Sequence, residues 1–335
     1  MNAFDNKKYI EAQKQAFIEK IDNCTKLYVE VGGKLIQDRH AARVLPGYDE
    51  NQKINFIKEL FNNNFELIYT ISAENIVNAK IRDDFSTTYI EETFRLINEF
   101  KKFDVEVNNI VISKFKEHSK VLDNFIEEIK KLGKNVFYLN YINHYSLCDE
   151  FLNEFDKQAL LKIDKKHIVV TGPGGGSGKF AFCLSQLYNE MKNGEVPQYI
   201  KYESFPVHDL DINHPVNLAY AAATADLNDK VLEDKYKSGS ISYNRDMDNF
   251  ELLKLIANRF KKEGSILRKI NSPTDMGINF IKAGIVNDKL VREAASLEVF
   301  RRFLKYKDKY LSGKENSICM DRTRKIVEFI MNEKN

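Results

Sequence analysis

Seven consecutive positions, Gly172-Pro-Gly-Gly-Gly-Ser-Gly178, contain five glycines, and Lys179 follows them directly. A glycine-rich turn lets successive backbone N–H groups converge on an anion. Where such a turn opens a helix, the helix terminus adds partial positive charge, and a lysine adds a full charge on a flexible arm. These parts suit phosphate. Gly174, Gly175, Gly176, Ser177 and Gly178 would cradle it and Lys179 would neutralise it. The match to the P-loop formula G-x-x-x-x-G-K-[ST] is incomplete: Pro173 stands at the first glycine and Phe180 at the magnesium-binding hydroxyl. A nucleotide with Mg therefore suits the loop only if Ser177 or Thr171 replaces that hydroxyl. The plainer reading is a tight turn beside an exposed lysine. A dinucleotide fingerprint fits less well, because it follows the first strand of its unit and this cluster follows the fifth expected strand.

A second constellation, Gly32-Gly-Lys34-Leu-Ile-Gln-Asp38-Arg-His40-Ala-Ala-Arg43, follows the first expected strand. Ligands of open α/β sheets bind at the carboxyl ends of the strands. Lys34 and Arg43 could hold anionic groups, Asp38 could orient His40 or bind a metal, and His40 titrates near neutrality and could transfer a proton. A capped helix with a surface ion pair and a buried histidine accounts for the same residues equally well.

Further along, His208, Asp211 and His214 invite a metal reading, but their spacing matches no standard zinc motif and His214-Pro215 marks a turn before a helix. No metal site is assigned. Asn217 and Asp226 in the alanine-rich stretch that follows, with Arg245 and Asp275 in two later polar turns, are candidates to line and close a cleft.

The elements that must position these groups alternate. Short apolar strands are expected at Leu27–Val31, Glu66–Ile71, Val105–Ile112, Val136–Leu139, His167–Thr171 and Tyr199–Tyr202. Helical spacing is expected at 6–22, 50–62, 87–103, 121–132 and 148–162, and from Gly178 onward. Strands separated by amphipathic helices need crossovers, so the sheet should be mainly parallel and covered on both faces. Residues 1–205 thus read as a doubly wound α/β domain carrying a P-loop-like turn. Residues 206–335 read as a mostly helical second region, with segments at 215–227, 246–263, 274–283, 288–309 and 318–333, that completes the cleft.

Composition narrows the classes. The 335 residues balance 51 basic against 49 acidic side chains, so no basic surplus argues for nucleic acid. The clusters Lys261-Lys262, Arg268-Lys269 and Arg301-Arg302 read as solvated helix faces. No apolar run reaches the ~18 residues of a membrane span, and the N-terminus lacks the apolar segment of a signal peptide. Cys24, Cys148, Cys183 and Cys319 are widely spaced, without C-x-x-C, which argues against a disulfide framework and points to the cytoplasm.

Six ordered blocks resemble one bacterial family, domain of unknown function 1846, also called uncharacterised protein family 0371. They are GGKLIQDRHAARVLPGY at 32–48, VVTGPGGGSGK at 169–179, HPVNLAY at 214–220, ATADL at 223–227, YNRD at 243–246 and SPTDMGIN at 272–279. The resemblance spans nearly the whole chain and brings no established activity. An ATP-dependent peptidase label carried by some members has no basis in these residues, which include no H-E-x-x-H and no nucleophile elbow. The resemblance implies that family members continue beyond this C-terminus, which is shortened here, and that they carry a glutamate where this chain has Ala221. It also implies that Pro173 and Phe180 belong to a distinct phosphate loop rather than to a degraded ATPase.

Two functions compete. One is an enzyme acting on a nucleotide or phosphorylated small molecule, with catalysis carried by positioning and electrostatics. The other is a non-catalytic metabolite-binding or assembly module whose helical region pairs subunits into a homo-oligomer.

Overall fold

The computed structural model describes residues 2–21, 24–82, 86–142, 149–260 and 266–333. Cys148, Lys261 and Lys262, all considered above, lie outside the described residues. Seven strands form one sheet: β1 (Leu27–Val31), β2 (Glu66–Ser72), β3 (Val107–Phe115), β4 (Asn135–Asn140), β5 (His167–Thr171), β6 (Gln198–Tyr202) and β7 (Gly277–Ile278). Their spatial order is β7-β6-β1-β5-β2-β3-β4, and all the pairs are parallel.

Alternation along the strands sorts side chains to two faces. Val29, Leu67, Tyr69, Ile110 and Val169 pack against α1 (Asn6–Lys20), α3 (Gln52–Leu60), α4 (Tyr89–Lys101) and α5 (Lys120–Lys131). Tyr28, Ile68, Val111, Ile168 and Val170 pack against α6 (Asp149–Asp156), α7 (Lys179–Lys192) and α9 (Asn244–Phe260) on the opposite face. The fold is therefore α/β and doubly wound around a mainly parallel sheet. Local signals place the helix ends. Thr88 and Glu91 close a capping box on α4, and Ser119 caps α5, which stops before Gly133 at φ 71°.

A third apolar cluster joins α8 (Pro215–Ala223), α10 (Asp288–Leu311) and α11 (Ser317–Asn332) to α2 (Arg39–Val44) and to Phe205 and Val207. Because α2 follows β1 and Phe205 follows β6, this helical group sits over the carboxyl edge of the sheet.

One segment departs from its expected form. Residues 274–283, expected helical, instead make a 3₁₀ turn at Pro273–Met276, then β7, then a short helix at Ile281–Gly284. Ser272 caps the turn. A Cβ on Gly277 would lie 2.1 Å from Ser204 Oγ, so only glycine lets this strand close against β6. Two short antiparallel pairs are also present, one joining Ile81–Arg82 to Thr87–Thr88 and the other Val231–Glu233 to Ile241–Tyr243.

Candidate functional site

Strands β1 and β5 are neighbours, yet the chain leaves them in opposite directions. From β1 it crosses to β2 on the far side of β5, and from β5 it crosses to β6 on the far side of β1. That is a topological switch point, where the two departing loops open a crevice. A cleft of about 580 Å³ occupies it, within the roughly 300–1,000 Å³ of small-molecule pockets.

The β5 loop forms one wall. Gly176 and Gly178 take left-handed φ values of 73° and 90°, and Gly178 is the N-cap of α7. The other glycines answer to crowding: a Cβ on Gly172 would sit 2.5 Å from both Thr70 O and Ser177 Oγ, and one on Gly174 would sit 2.6 Å from the Tyr89 hydroxyl. The Ser177 side chain turns down into the sheet, its Oγ 3.3 Å from Thr70 Oγ1, so its hydroxyl serves the fold. Among the described residues Lys179 Nζ donates only to Gly174 O, at 3.3 Å, and burial lowers its pKa while Glu30 partly restores it. No carboxylate forms an ion pair with Lys179 among the described residues.

The β1 loop forms the opposite wall and is held by charge. Gly32 runs so close to β6 that a Cβ would lie 1.9 Å from Glu203 O. Lys53, wholly buried on α3, reaches Asp38 Oδ2 at 2.8 Å, Glu203 Oε2 at 2.5 Å and Gly32 O at 3.1 Å. Tyr9 and Tyr48 donate their hydroxyls to Glu203 Oε1. Asp38 also caps α2, accepting from Ala41 N at 3.2 Å. Burial alone would raise the Asp38 carboxyl, but Lys53 and Lys34 outweigh it and hold the group well below the usual carboxylate range.

His40, the second residue of α2, is also buried. Its Nδ1 meets Glu298 Oε1 of α10 at 2.9 Å. Burial pushes its pKa down to about 4, the Glu298 contact recovering part of the loss. Glu298 further accepts from Arg43 at 2.8 Å, Arg301 at 2.6 Å and Arg302 at 3.1 Å. Burial opposes its charge, yet Arg301, His40 and Arg43 hold it far below its usual range.

Lys34, Asp38, His40, Gly174, Gly175, Gly176, Ser177, Gly178, Lys179, Asp226 and Arg245 thus line one cleft. Arg245 is bound there to Asp229 at 2.9 Å, and Asp226 lies 3.4 Å from Lys80 at the rim.

Three expected residues stand apart. Arg43 turns from the cleft to Glu298. Asn217 is buried and clamps the Val207 backbone, accepting from its N–H at 2.8 Å and donating to its carbonyl at 3.2 Å. Asp275 accepts from Asn271 N at 3.1 Å and Lys237 Nζ at 3.2 Å in its own turn. Backbone groups occupy Asn217, and a backbone N–H and a lysine occupy Asp275.

Sequence reasoning missed Lys53, Glu203, Glu298 and the Lys201–Asp246 pair, bonded at 2.6 Å in the cleft. Charges on apolar helix stripes were the available signal: Lys53 lies on the face of Ile57, and Glu298 lies between Ala295 and Val299. Among the described residues no cluster of His, Cys, Asp or Glu could hold a metal ion, and no helix is long and apolar enough to cross a membrane.

The family model "Domain of unknown function DUF1846, N-terminal" matches residues 2–335. Proteins called UPF0371 protein from Clostridium botulinum strains Alaska E43 (Type E3), Eklund 17B (Type B) and Kyoto (Type A2) are each 39% identical over 333 residues, 97% of this chain. The chain spans 65% of the length of these curated relatives.

Proposed function

The chain belongs to the DUF1846 family, and we propose that it binds the phosphate group of a nucleotide or phosphorylated small molecule in the switch-point cleft. One observation carries the reading. Lys179 enters the cleft at the N-terminus of α7, its ammonium bound among the described residues only to a carbonyl of its own loop. A phosphate there would receive the loop's N–H groups and the helix terminus, and would restore the lysine's preference for its charged form.

A second reading, binding without turnover, draws on the opposite wall. Asp38 is locked to Lys53 in its ionised form and His40 is held by Glu298, so both candidate acid–base groups already serve internal contacts. Turnover of any bound phosphate ester, lost in His40→Gln, excludes this second reading.

The primary test is thermal unfolding with ATP, ADP, inorganic phosphate and glucose 6-phosphate, for the wild type and Lys179→Ala. A ligand at one hundred times its Kd stabilises the native state by about 2.7 kcal/mol. A rise in Tm of a few degrees in the wild type, absent in Lys179→Ala, is expected. No shift with any of the four, or equal shifts in both proteins, defeats the proposal.

A further inference from the structure

Five residues lining the cleft carry a buried polar atom without a hydrogen-bond partner among the described residues, at Glu203 Oε2 (ion-paired with Lys53), Asp229 Oδ1, the Tyr243 hydroxyl, His40 Nε2 and the Tyr220 hydroxyl, and the last two belong to rings in contact. Both residues line the cleft and both are only 6% exposed. Their rings meet edge to face with centroids 4.7 Å apart, so the two polar atoms belong to one small region of the wall. Buried polar groups are ordinarily bonded, and a pair left unbonded in a cleft asks for a ligand.

The far side of the imidazole fixes what His40 offers. Its Nδ1 faces Glu298, a carboxylate that Arg43, Arg301 and Arg302 keep ionised and that can therefore only accept. The proton sits on Nδ1, and Nε2 presents a lone pair. Glu298 is thus a positioning residue, selecting the tautomer as outer carboxylates do for other histidines. One face of the Tyr220 ring is covered by Phe205, stacked at 3.7 Å, and its hydroxyl has no partner among the described residues. A lone pair beside a phenol repels a second phosphate but suits an alcohol, which donates to one and accepts from the other.

We propose that His40 Nε2 and the Tyr220 hydroxyl form a hydroxyl-reading subsite, and that the cleft's ligand is a phosphorylated polyol of the sugar-phosphate class. The inference rests on the phosphate-binding reading of the β5 loop, which would hold the other end of the same molecule.

Titration calorimetry with glucose 6-phosphate and with butyl phosphate, which lacks free hydroxyls, separates the two ideas. The wild type should bind the sugar phosphate at least tenfold more tightly. Tyr220→Phe should erase about tenfold of that preference, the value of one hydrogen bond, while leaving butyl phosphate binding unchanged. Lys179→Ala should weaken both ligands. Equal affinities in the wild type, a preference untouched by Tyr220→Phe, or binding of neither ligand overturns the subsite; the phosphate reading falls only if ATP, ADP and inorganic phosphate also fail to shift unfolding. If Tyr220→Phe does not fold, nitrogen NMR of the wild-type histidines decides. A His40 Nε2 resonance that moves with glucose 6-phosphate and not with butyl phosphate supports the subsite, and one that moves with neither refutes it.

Discussion

The turns after β5 and β1 leave adjacent strands at the same edge of the sheet, and they are built on opposite principles. The β5 turn holds its shape through absence of side chains: its glycines lie against Thr70, Ser177, Tyr89 and Leu227, or take left-handed backbone angles. The β1 turn holds its shape through buried charge, with Lys53 between Asp38 and Glu203, and His40 and three arginines on Glu298. The first is shaped by close contacts with β2, α4 and the turn after α8. The second draws on α3, the end of β6 and α10, and so ties the helical group to the sheet. Placed together, they make a cleft with one wall of backbone amides and one wall of preset polar side chains.

The sharpest way to break this contrast is at its charged centre. Lys53→Met leaves two buried carboxylates without their cation and should cost about 3–5 kcal/mol in urea unfolding. A cost no larger than that of a glycine substitution would mean that the charges do not hold the β1 wall.

Next comes pH. His40 is neutral in the fold with its pKa lowered from 6.5 to about 4, so in that window the unfolded chain binds the proton and the native state does not. The contribution is full above pH 6.5 and disappears as pH falls toward 4. At about 1.4 kcal/mol per unit it amounts to on the order of 3 kcal/mol. Unfolding midpoints at pH 7 and pH 5 should differ less in His40→Gln than in the wild type; an identical difference would remove His40 from the account.

On the β5 wall the effects are smaller and steric. Gly172→Ala drives a methyl to 2.5 Å from the Thr70 carbonyl and should cost about 1–3 kcal/mol. Gly176→Ala has nothing nearer than Leu227 at 3.9 Å and meets only its φ of 73°, so about 1 kcal/mol is expected. The reverse order would show that the loop is held by backbone angle rather than by crowding. Smallest of all, Lys179→Ala should change stability by less than about 0.5 kcal/mol while abolishing the ligand-dependent shift. A large loss of stability there would make the lysine a structural strut.

The same contrast explains what the sequence disclosed. Six of the seven strands follow from short apolar runs, and the glycine loop announces itself within eight residues. Lys34, Asp38 and His40 were legible because they follow β1 directly. Glu298 was not, because its partner His40 lies 258 positions away and the helix carrying it reads as amphipathic with or without that charge. β7 was hidden for a different reason: two residues carry no periodicity, and its pairing depends on glycine passing Ser204. Arg43, Asn217 and Asp275 show the converse: polar residues near a motif whose bonds go to the backbone, to Lys237 or to a remote carboxylate.

The position of β1 has a consequence for how the chain is made. This strand, the first to be synthesised, is flanked in the finished sheet by β5 and β6, whose first residues are 167 and 198 while its own is 27. At roughly 5–20 residues per second, a ribosome releases β1 on the order of ten seconds before either flanking strand exists. Both of its hydrogen-bonding edges stay open through that interval, and the sheet closes from its centre only after β6 has emerged.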